Sequence, residues 1–407
     1  MKNNYPILFG IIYLFSPLNL LHGQWIQTSG PQNRAIWSMV STNDSDLFAG
    51  TFGDGVFLST NKGETWTEAN NGLTNKSVYT FIVKDSNLFA GTGGGVFLST
   101  NNGTNWTSVS NGLTNNFVVT FAVMGNNLFT GTNGGGVFLS TDNGMNWTAV
   151  NNGLTNLYLH VLLVKGANLF AGTDGGGVFL SKDNGTTWTA VNDGLAGNYI
   201  FSLATKDTSL FAGTDGNGIF RSIDDGKNWT EANSGLSSIT VSAFVNFSSH
   251  LIAGTYGGGV VQSIDNGENW TDFKSGLTYS TIYSLLISGS DLFAGTADGG
   301  VWRRSLTDLT TEVKELPNSS RYFKLELNYP NPFNLTTTLS FSLPVTAFVS
   351  LKVTDILGRV VVVLRSGELS PGFYSQEWSS ENLPGGIYFI NLRAGNFTET
   401  KKIYISK

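Results

Sequence analysis

Asp54, Asp174, Asp215 and Asp298 each stand in a short glycine-rich loop that begins Gly-Thr. Two carboxylates flanking a glycosidic bond, about 5 to 9.5 Å apart, are the minimum equipment for its hydrolysis. Loops of one kind fall on one face of a repetitive fold, so any two of these aspartates could oppose each other there. The matching places in other copies hold glycine or asparagine, and acidic residues are common in solvated turns. The four are read as solvated turn carboxylates, with hydrolysis as the alternative. Metal chemistry has less to work with. His160 and His250 lie in different units with no Asp or Glu at ligand spacing, and His160, in the run YLHVLLV, reads as a packed strand residue. With no cysteine, thiol nucleophiles, disulfides and cysteine-ligated metals are excluded. The Gly-Gly-Gly triplets lead from strand to strand rather than into a helix, so they lack the context of a phosphate cradle. No cofactor and no metal is expected.

Recognition is the other chemistry on offer. One loop set carries Phe52, Asp54, Asn133, Asp174, Asp215, Tyr256 and Asp298; a second, between units, carries Lys76, Phe117, Tyr158 and Tyr199. Aromatic faces beside amides and carboxylates suit a glycan or an extended peptide. The alternative is that Phe117, Tyr158 and Tyr199 only pack the start of the inner strands.

The frame that must hold these loops is a repeat. A turn of the form Ser-x-Asp-x-Gly-x-x-Trp occurs at Ser140/Asp142/Gly144/Trp147, Ser181/Asp183/Gly185/Trp188, Ser222/Asp224/Gly226/Trp229 and Ser263/Asp265/Gly267/Trp270. Two earlier copies, Ser59/Asn61/Gly63/Trp66 and Ser99/Asn101/Gly103/Trp106, carry asparagine for aspartate. The tryptophans recur every 40 or 41 residues. Each unit reads as four short strands, of the types Val78–Val83, Asn87–Thr92, Val96–Ser99 and Asn105–Val109, the last starting at the tryptophan. A period near 41 with four strands belongs to propellers. The turn residues have local roles: the acid accepts backbone N–H groups, glycine takes a conformation others avoid, and tryptophan packs between blades.

Seven loop-opening Gly-Thr pairs, at Gly50, Gly91, Gly131, Gly172, Gly213, Gly254 and Gly295, stand against six turns. The last unit stops at Val301-Trp302-Arg303-Arg304, whereas Gln24–Gly30 matches a fourth strand without a unit. An open sheet edge is costly and invites aggregation, so the N-terminal strand is expected to complete the last blade. The expected fold is all-β: a seven-bladed β-propeller over residues 24–306, closed by the N-terminal strand and followed by a small Ig-like β-sandwich.

The flanks agree with export. Residues 1–23, a weakly basic start and an apolar run interrupted by Pro17 and Asn19, read as a secretory signal peptide cleaved after Gly23. No later run is long and apolar enough to span a membrane, so none is expected in the mature protein. Residues 307–321 are polar and read as a linker; residues 322–407 carry alternating runs at Thr337–Leu343, Val349–Asp355, Val360–Leu364, Gly386–Leu392 and a last strand from Lys401. A net charge of −6 without a basic run excludes a nucleic-acid partner. The 50 glycines have no period of three and are accounted for by tight turns.

The turn resembles the Asp-box of sialidases, sortilin-type receptors, some xyloglucan-degrading enzymes and photosystem II assembly propellers. That resemblance implies a propeller and little about activity, because unrelated functions share the box. Sialidase-type chemistry needs three convergent arginines. The propeller offers Arg34, Arg221, Arg303 and Arg304, with Arg221 and Arg303 on third strands, away from a central pocket. The C-terminal segment resembles the type A sorting domain of the type IX secretion system. The matching residues are Asn328 with Tyr329-Pro330-Asn331-Pro332-Phe333-Asn334, Asp355-Ile356-Leu357-Gly358-Arg359, Asn382-Leu383-Pro384-Gly385-Gly386-Ile387-Tyr388, and Lys401-Lys402. Leu335 departs from the proline usual there. The resemblance implies passage through the outer membrane by type IX machinery as partner, and a secreted or surface-held product. A binding or interaction module with a glycan or protein ligand is the reading, against a glycoside hydrolase or an envelope assembly factor.

Overall fold

A computed structural model describes residues 23–43, 45–307, 309, 323–326, 328, 330–370, 372–380, 383–395 and 397–406. The expected signal peptide, apart from Gly23, most of the expected linker, and Tyr329 lie outside the described residues. The chain divides into two compact units, Met1–Thr307 and Asp308–Lys407.

The first unit is built of seven four-stranded antiparallel sheets. In the second blade, Val78–Lys84 is the inner strand, followed outward by Asn87–Thr92, Gly95–Ser99 and Thr107–Ser108. The outermost strand is two residues long and begins after the tryptophan, not at it as the sequence suggested. The reason is a competing bond: Trp106 gives its backbone N–H to Asn71 O of the preceding blade at 2.9 Å, and Trp147 gives its own to Asn111 O at 2.9 Å. Trp229 and Trp270 repeat this with Asp193 O and Ser234 O, both at 2.8 Å. These N–H groups therefore serve the joint between blades rather than the ladder.

Each blade buries both faces against its neighbours. Phe129 and Val137 of the third blade share a core with Leu159, Leu169, Phe179 and Trp188 of the fourth. The Gly-Thr pair permits this approach. A Cβ on Gly91 would meet Val118 Cγ1, the first residue of the next inner strand, at 2.5 Å, so only glycine fits. The following threonine is buried and closes its own loop, as Thr92 Oγ1 does by donating to Gly95 O at 2.9 Å.

The ring closes as the residue count requires. Ile26–Gln27 pairs with Val301–Ser305, completing the sheet whose other strands are Ile282–Ser288 and Asp291–Thr296. Ile36, Leu47 and Ala49 of the first blade share a core with Phe293 and Val301 of the last.

In the second unit, Lys324–Leu325, Thr336–Leu343 and Gly372–Ser379 form one sheet; Val360–Leu369, Ala347–Thr354, Gly386–Ala394 and Phe397–Ile405 form the other. A single core containing Phe341, Leu351, Trp378, Ile390 and Ile403 joins them. The strands at Lys324 and Gly372 add to those read from the sequence; the second starts within the segment read as a turn.

Candidate functional site: the channel mouth

Every inner strand of the propeller carries the same irregularity. In the first blade Ile36 pairs with Thr51 and Ser38 with Gly50, leaving Trp37 unpaired between them. The register shifts at the equivalent place in the other six, leaving Tyr79, Val119, His160, Phe201, Ser242 and Tyr283 unpaired. Such a bulge re-aims one side chain and locally tightens the strand twist. Here all seven side chains line one cavity of about 600 Å³.

Five of the seven are aromatic and most of them touch. Trp37 stacks on Tyr283 at 4.7 Å between ring centres and meets Tyr79 edge-on at 5.6 Å. His160 meets Phe201 edge-on at 4.9 Å. Where the bulged residue is small, at Val119 and Ser242, a loop residue reaches in. Phe117 lies 4.8 Å from Tyr79, and Tyr256 bridges Phe201 at 5.9 Å and Tyr283 at 5.4 Å. Burial, with Tyr283 and Asp215 nearby, pushes the Tyr256 phenol up to about 12. Burial also raises Tyr79, against a hydrogen bond from Ser77, and raises Tyr283, with Asp298 adding to it. All three phenols stay neutral across the physiological range.

The loop residues named from the sequence fall into three groups. Phe117, Asn133 and Tyr256 line the cavity. Phe52, 60% exposed, sits at the rim within 6.5 Å of Trp37 and 6.3 Å of Tyr79. Tyr158 and Tyr199 stay about half exposed and do not line the cavity; they bridge to Asn133 and Asp174 of the preceding blades, joining the loops of adjacent blades. The four loop aspartates are exposed. Asp54 pairs with Arg34 at 2.9 Å, Asp174 faces His160 Nε2 at 3.9 Å, and Asp215 accepts from Thr240 Oγ1 at 3.1 Å. His160 is corrected from a packed strand residue to a channel residue, because the bulge turns it inward. Burial lowers its pKa, and the attraction of Asp174 only partly offsets this. Among the described residues no cluster of His, Asp and Glu could hold a metal.

The six turn boxes sit away from this mouth as hairpin locks, and none of their residues lines the cavity. In the third blade Ser140 Oγ donates to Asp142 Oδ1 at 2.8 Å and accepts from Gly144 N at 2.8 Å, while Asn146 N donates to the same carboxylate oxygen at 2.9 Å. Asn61 and Asn101 reproduce the acceptor role at 2.9 Å without charge.

The box glycines do more than adopt the conformation expected of them. Gly103, Gly185, Gly226 and Gly267 are buried, take φ between +77° and +85°, and give their N–H to the box serine at 2.8 to 2.9 Å. They also abut the preceding blade, which the sequence did not suggest. A Cβ on Gly267 would stand 2.5 Å from the Phe211 ring, and one on Gly103 would strike Phe48. On Gly185 it would press Phe129 and Val150 at 3.2 Å, and on Gly226 it would meet Val191 at 3.0 Å.

The box tryptophan seals the joint between blades. Trp147 Nε1 donates to Val109 O of the preceding blade at 2.8 Å. Trp188, Trp229 and Trp270 do the same to Val150 O, Val191 O and Ala232 O at 2.7, 2.8 and 2.9 Å. These four rings are at most 4% exposed, so they are closed to a ligand.

In the second unit the motif residues tie the start of the sandwich to its last strand. Phe333 is buried against Trp378 at 5.5 Å and gives its N–H to Tyr404 O at 3.1 Å, and Asn331 Oδ1 accepts from Tyr404 N at 3.0 Å. Asn334 O accepts from Ser380 Oγ at 3.1 Å. Gly358 takes φ of +77° in a turn locked by the Arg359–Asp355 pair at 2.7 Å. Tyr388 donates to Pro384 O, Lys401 pairs with Glu399 at 2.7 Å, and Lys402 lies 5.1 Å from the Tyr404 ring.

These features define an exported β-propeller that carries its own sorting domain. Residues 27–157 and 160–287 match the family model described as the DUF6242 beta propeller domain, and residues 328–406 match the secretion system C-terminal sorting domain. The chain belongs to the DUF6242 beta propeller family, and its tail marks it for type IX export and for secretion or cell-surface attachment. No curated protein matches the chain. Among solved structures it resembles the extracellular domain of the hybrid two-component system BT3049 from B. thetaiotaomicron, with a TM-score of 0.61 and 14% identity, over 94% of this chain and 57% of that one. YCF48 bound to D1 peptide gives a TM-score of 0.57 at 18% identity, over 69% and 96%. PorZ, a surface component of the type IX system of Porphyromonas gingivalis, gives 0.56 at 16% identity, over 94% and 61%. At these identities the likeness is one of fold.

Proposed function

We propose that the propeller is a binding module, delivered to the cell exterior by its sorting domain, and that the channel mouth is its ligand site. One observation carries this reading. The hydrogen-bonded frame repeats from blade to blade, while the one unpaired residue per blade differs: Trp37, Tyr79, Val119, His160, Phe201, Ser242 and Tyr283. A cavity of about 600 Å³ with aromatic walls and a few polar groups has the size and character of a recognition site. Hydrolysis would need two carboxylates free to act on one bond. Asp54 is engaged by Arg34 and Asp174 faces His160, which leaves Asp215 and Asp298 as the one pair of loop carboxylates that cleavage could use.

The test is a ligand screen with the full chain and a Trp37→Ala/Tyr283→Ala variant on glycan and peptide arrays. Binding that the folded variant loses supports the reading. Binding that it retains in full for every ligand would remove the channel from consideration. Turnover of a glycan by the wild-type chain would replace binding with hydrolysis.

A further inference from the structure

The mouth is electrically lopsided. Toward the first two blades stand Arg34, already engaged by Asp54, and Lys76, exposed on the connecting loop; Lys274 of the sixth blade reaches Gly258 O but pairs with Asp272 at 3.3 Å. The fifth to seventh blades contribute carboxylates instead. Asp215 lies within electrostatic reach of Tyr256 and His160, and Asp298 within reach of Tyr283. Among the described residues neither Asp215 nor Asp298 has a cationic partner. Both are exposed beside the Trp37–Tyr283–Tyr256 run of aromatic faces. Aromatic faces attract a cation through the ring quadrupole, and carboxylates beside them add charge-assisted hydrogen bonds.

A second observation concerns unused polar atoms. Trp37 Nε1, Ser38 Oγ and His160 Nε2 are buried atoms of cavity-lining residues, and none has a hydrogen-bond partner. Buried polar atoms are ordinarily satisfied, and an unpaired one needs an explanation such as water or a ligand. An indole N–H can only donate, so it calls for an acceptor oxygen. The occupant that answers both observations brings carbonyl oxygens together with a flat, delocalised cation.

Resting on the reading of the channel mouth as a binding site, we infer that it receives an arginine side chain presented by an extended peptide or loop of a protein partner. The guanidinium lies against Trp37, Tyr283 and Tyr256 and donates to Asp215 and Asp298, and the flanking peptide carbonyls accept from Trp37 Nε1 once the half-buried Trp37 ring tilts to bring that covered atom to the channel. Arginine fits better than lysine because its planar head stacks on rings while its edges keep five donors.

The experiment uses the full chain and a flexible Gly/Ser octapeptide with one central arginine, its citrulline counterpart of equal shape and no charge, and its lysine counterpart. Binding is read by calorimetry. Citrulline is expected to lower affinity by at least about tenfold, the loss of roughly 1.4 kcal/mol of charge-dependent attraction, and lysine is expected to bind more weakly than arginine. Asp215→Asn/Asp298→Asn, both at exposed loop positions, is expected to abolish the difference between arginine and citrulline while leaving the melting temperature unchanged. Equal binding of arginine and citrulline peptides, or no binding of either, overturns the inference. A neutral oligosaccharide that binds and is lost in Trp37→Ala/Tyr283→Ala would also overturn it, yet would leave the channel as a binding site. Failure of every probe, with array ligands unaffected by the same double variant, would take the broader reading down as well.

Discussion

Trp25 Nε1 donates to Phe273 O at 2.7 Å, joining positions 248 residues apart. This is the same joint that Trp147 makes with Val109, now formed between the two ends of the ring. Trp25 is 3% exposed. Trp25→Ala is expected to cost roughly 3–5 kcal/mol, the range for truncating a buried aromatic. Trp66 is half-buried and donates to Gly63 O of its own turn at 3.2 Å, so Trp66→Ala should cost distinctly less. Denaturant titration of both variants checks the ordering. Removal of residues 24–31 should lower the melting temperature and solubility further, because it bares the strand edge of Val301–Ser305; an unaltered melting temperature would sink the closure argument.

The serine, more than the acid, holds the turn box. Ser140 is 1% exposed and serves Asp142 and Gly144 together. Ser140→Ala leaves buried groups unpaired and should cost about 1–3 kcal/mol. Asp142→Asn should cost much less, since Asn61 and Asn101 already fill that place. The two variants can be compared in one urea series, and a costlier Asp142→Asn would reverse this assignment of roles.

The charged boxes predict an acid limb. The Asn146 side chain, then the Asn146 N–H and Ser140, hold Asp142 down to about 2 from the ordinary 3.8, and Asn228 and Ser222 do the same for Asp224. A carboxylate with a depressed native pKa adds stability that is present above its unfolded value and is lost as pH falls through the folded value. The loss therefore runs between pH 3.8 and about 2. Replacing Asp142 and Asp224 by asparagine should flatten stability against pH in that window. Unfolding followed by circular dichroism from pH 2 upward reads this out; an unaltered slope would show that other groups govern it.

Gly91 and Gly93 offer a paired test of blade spacing. A Cβ on Gly91 would stand 2.5 Å from Thr80 Cγ2 and Val118 Cγ1, whereas one on Gly93 meets nothing nearer than 3.6 Å. Gly91→Ala should destabilise by about 1–3 kcal/mol through overpacking, and Gly93→Ala should fall within about 0.5 kcal/mol of wild type. Similar melting temperatures for the two would argue against the tight approach between blades.

The frame was open to reading because its determinants are periodic and local. Gly-Thr pairs, turn boxes and the orphan Trp25 segment each report a backbone need that recurs. The mouth was not, because a bulge leaves no local mark: Trp37 sits in IWSMVS and Tyr79 in VYTFIVK, both of which read as unbroken strands. His160 was misread for that reason. The signal was available only by comparing copies at the residue after the buried strand start, where seven different surroundings converge on one column. Tyr158 and Tyr199, two residues earlier, were conspicuous as aromatics but bridge the loops of adjacent blades instead. The short outer strands were also hidden, since nothing in Asn105–Val109 says that the Trp106 N–H is committed elsewhere. The packing of Gly103 and Gly267 against phenylalanines of the preceding blade was hidden too, because those partners lie more than fifty residues away in the chain.

Because the bulged residue takes part in no ladder pair, its identity is free of the constraints that fix its neighbours. Ile36 and Ser38 must keep their register with Thr51 and Gly50; Trp37 need not. The mouth is thus a seven-place alphabet set into an invariant ring, in which recognition can be rewritten one letter at a time while folding proceeds from the same instructions.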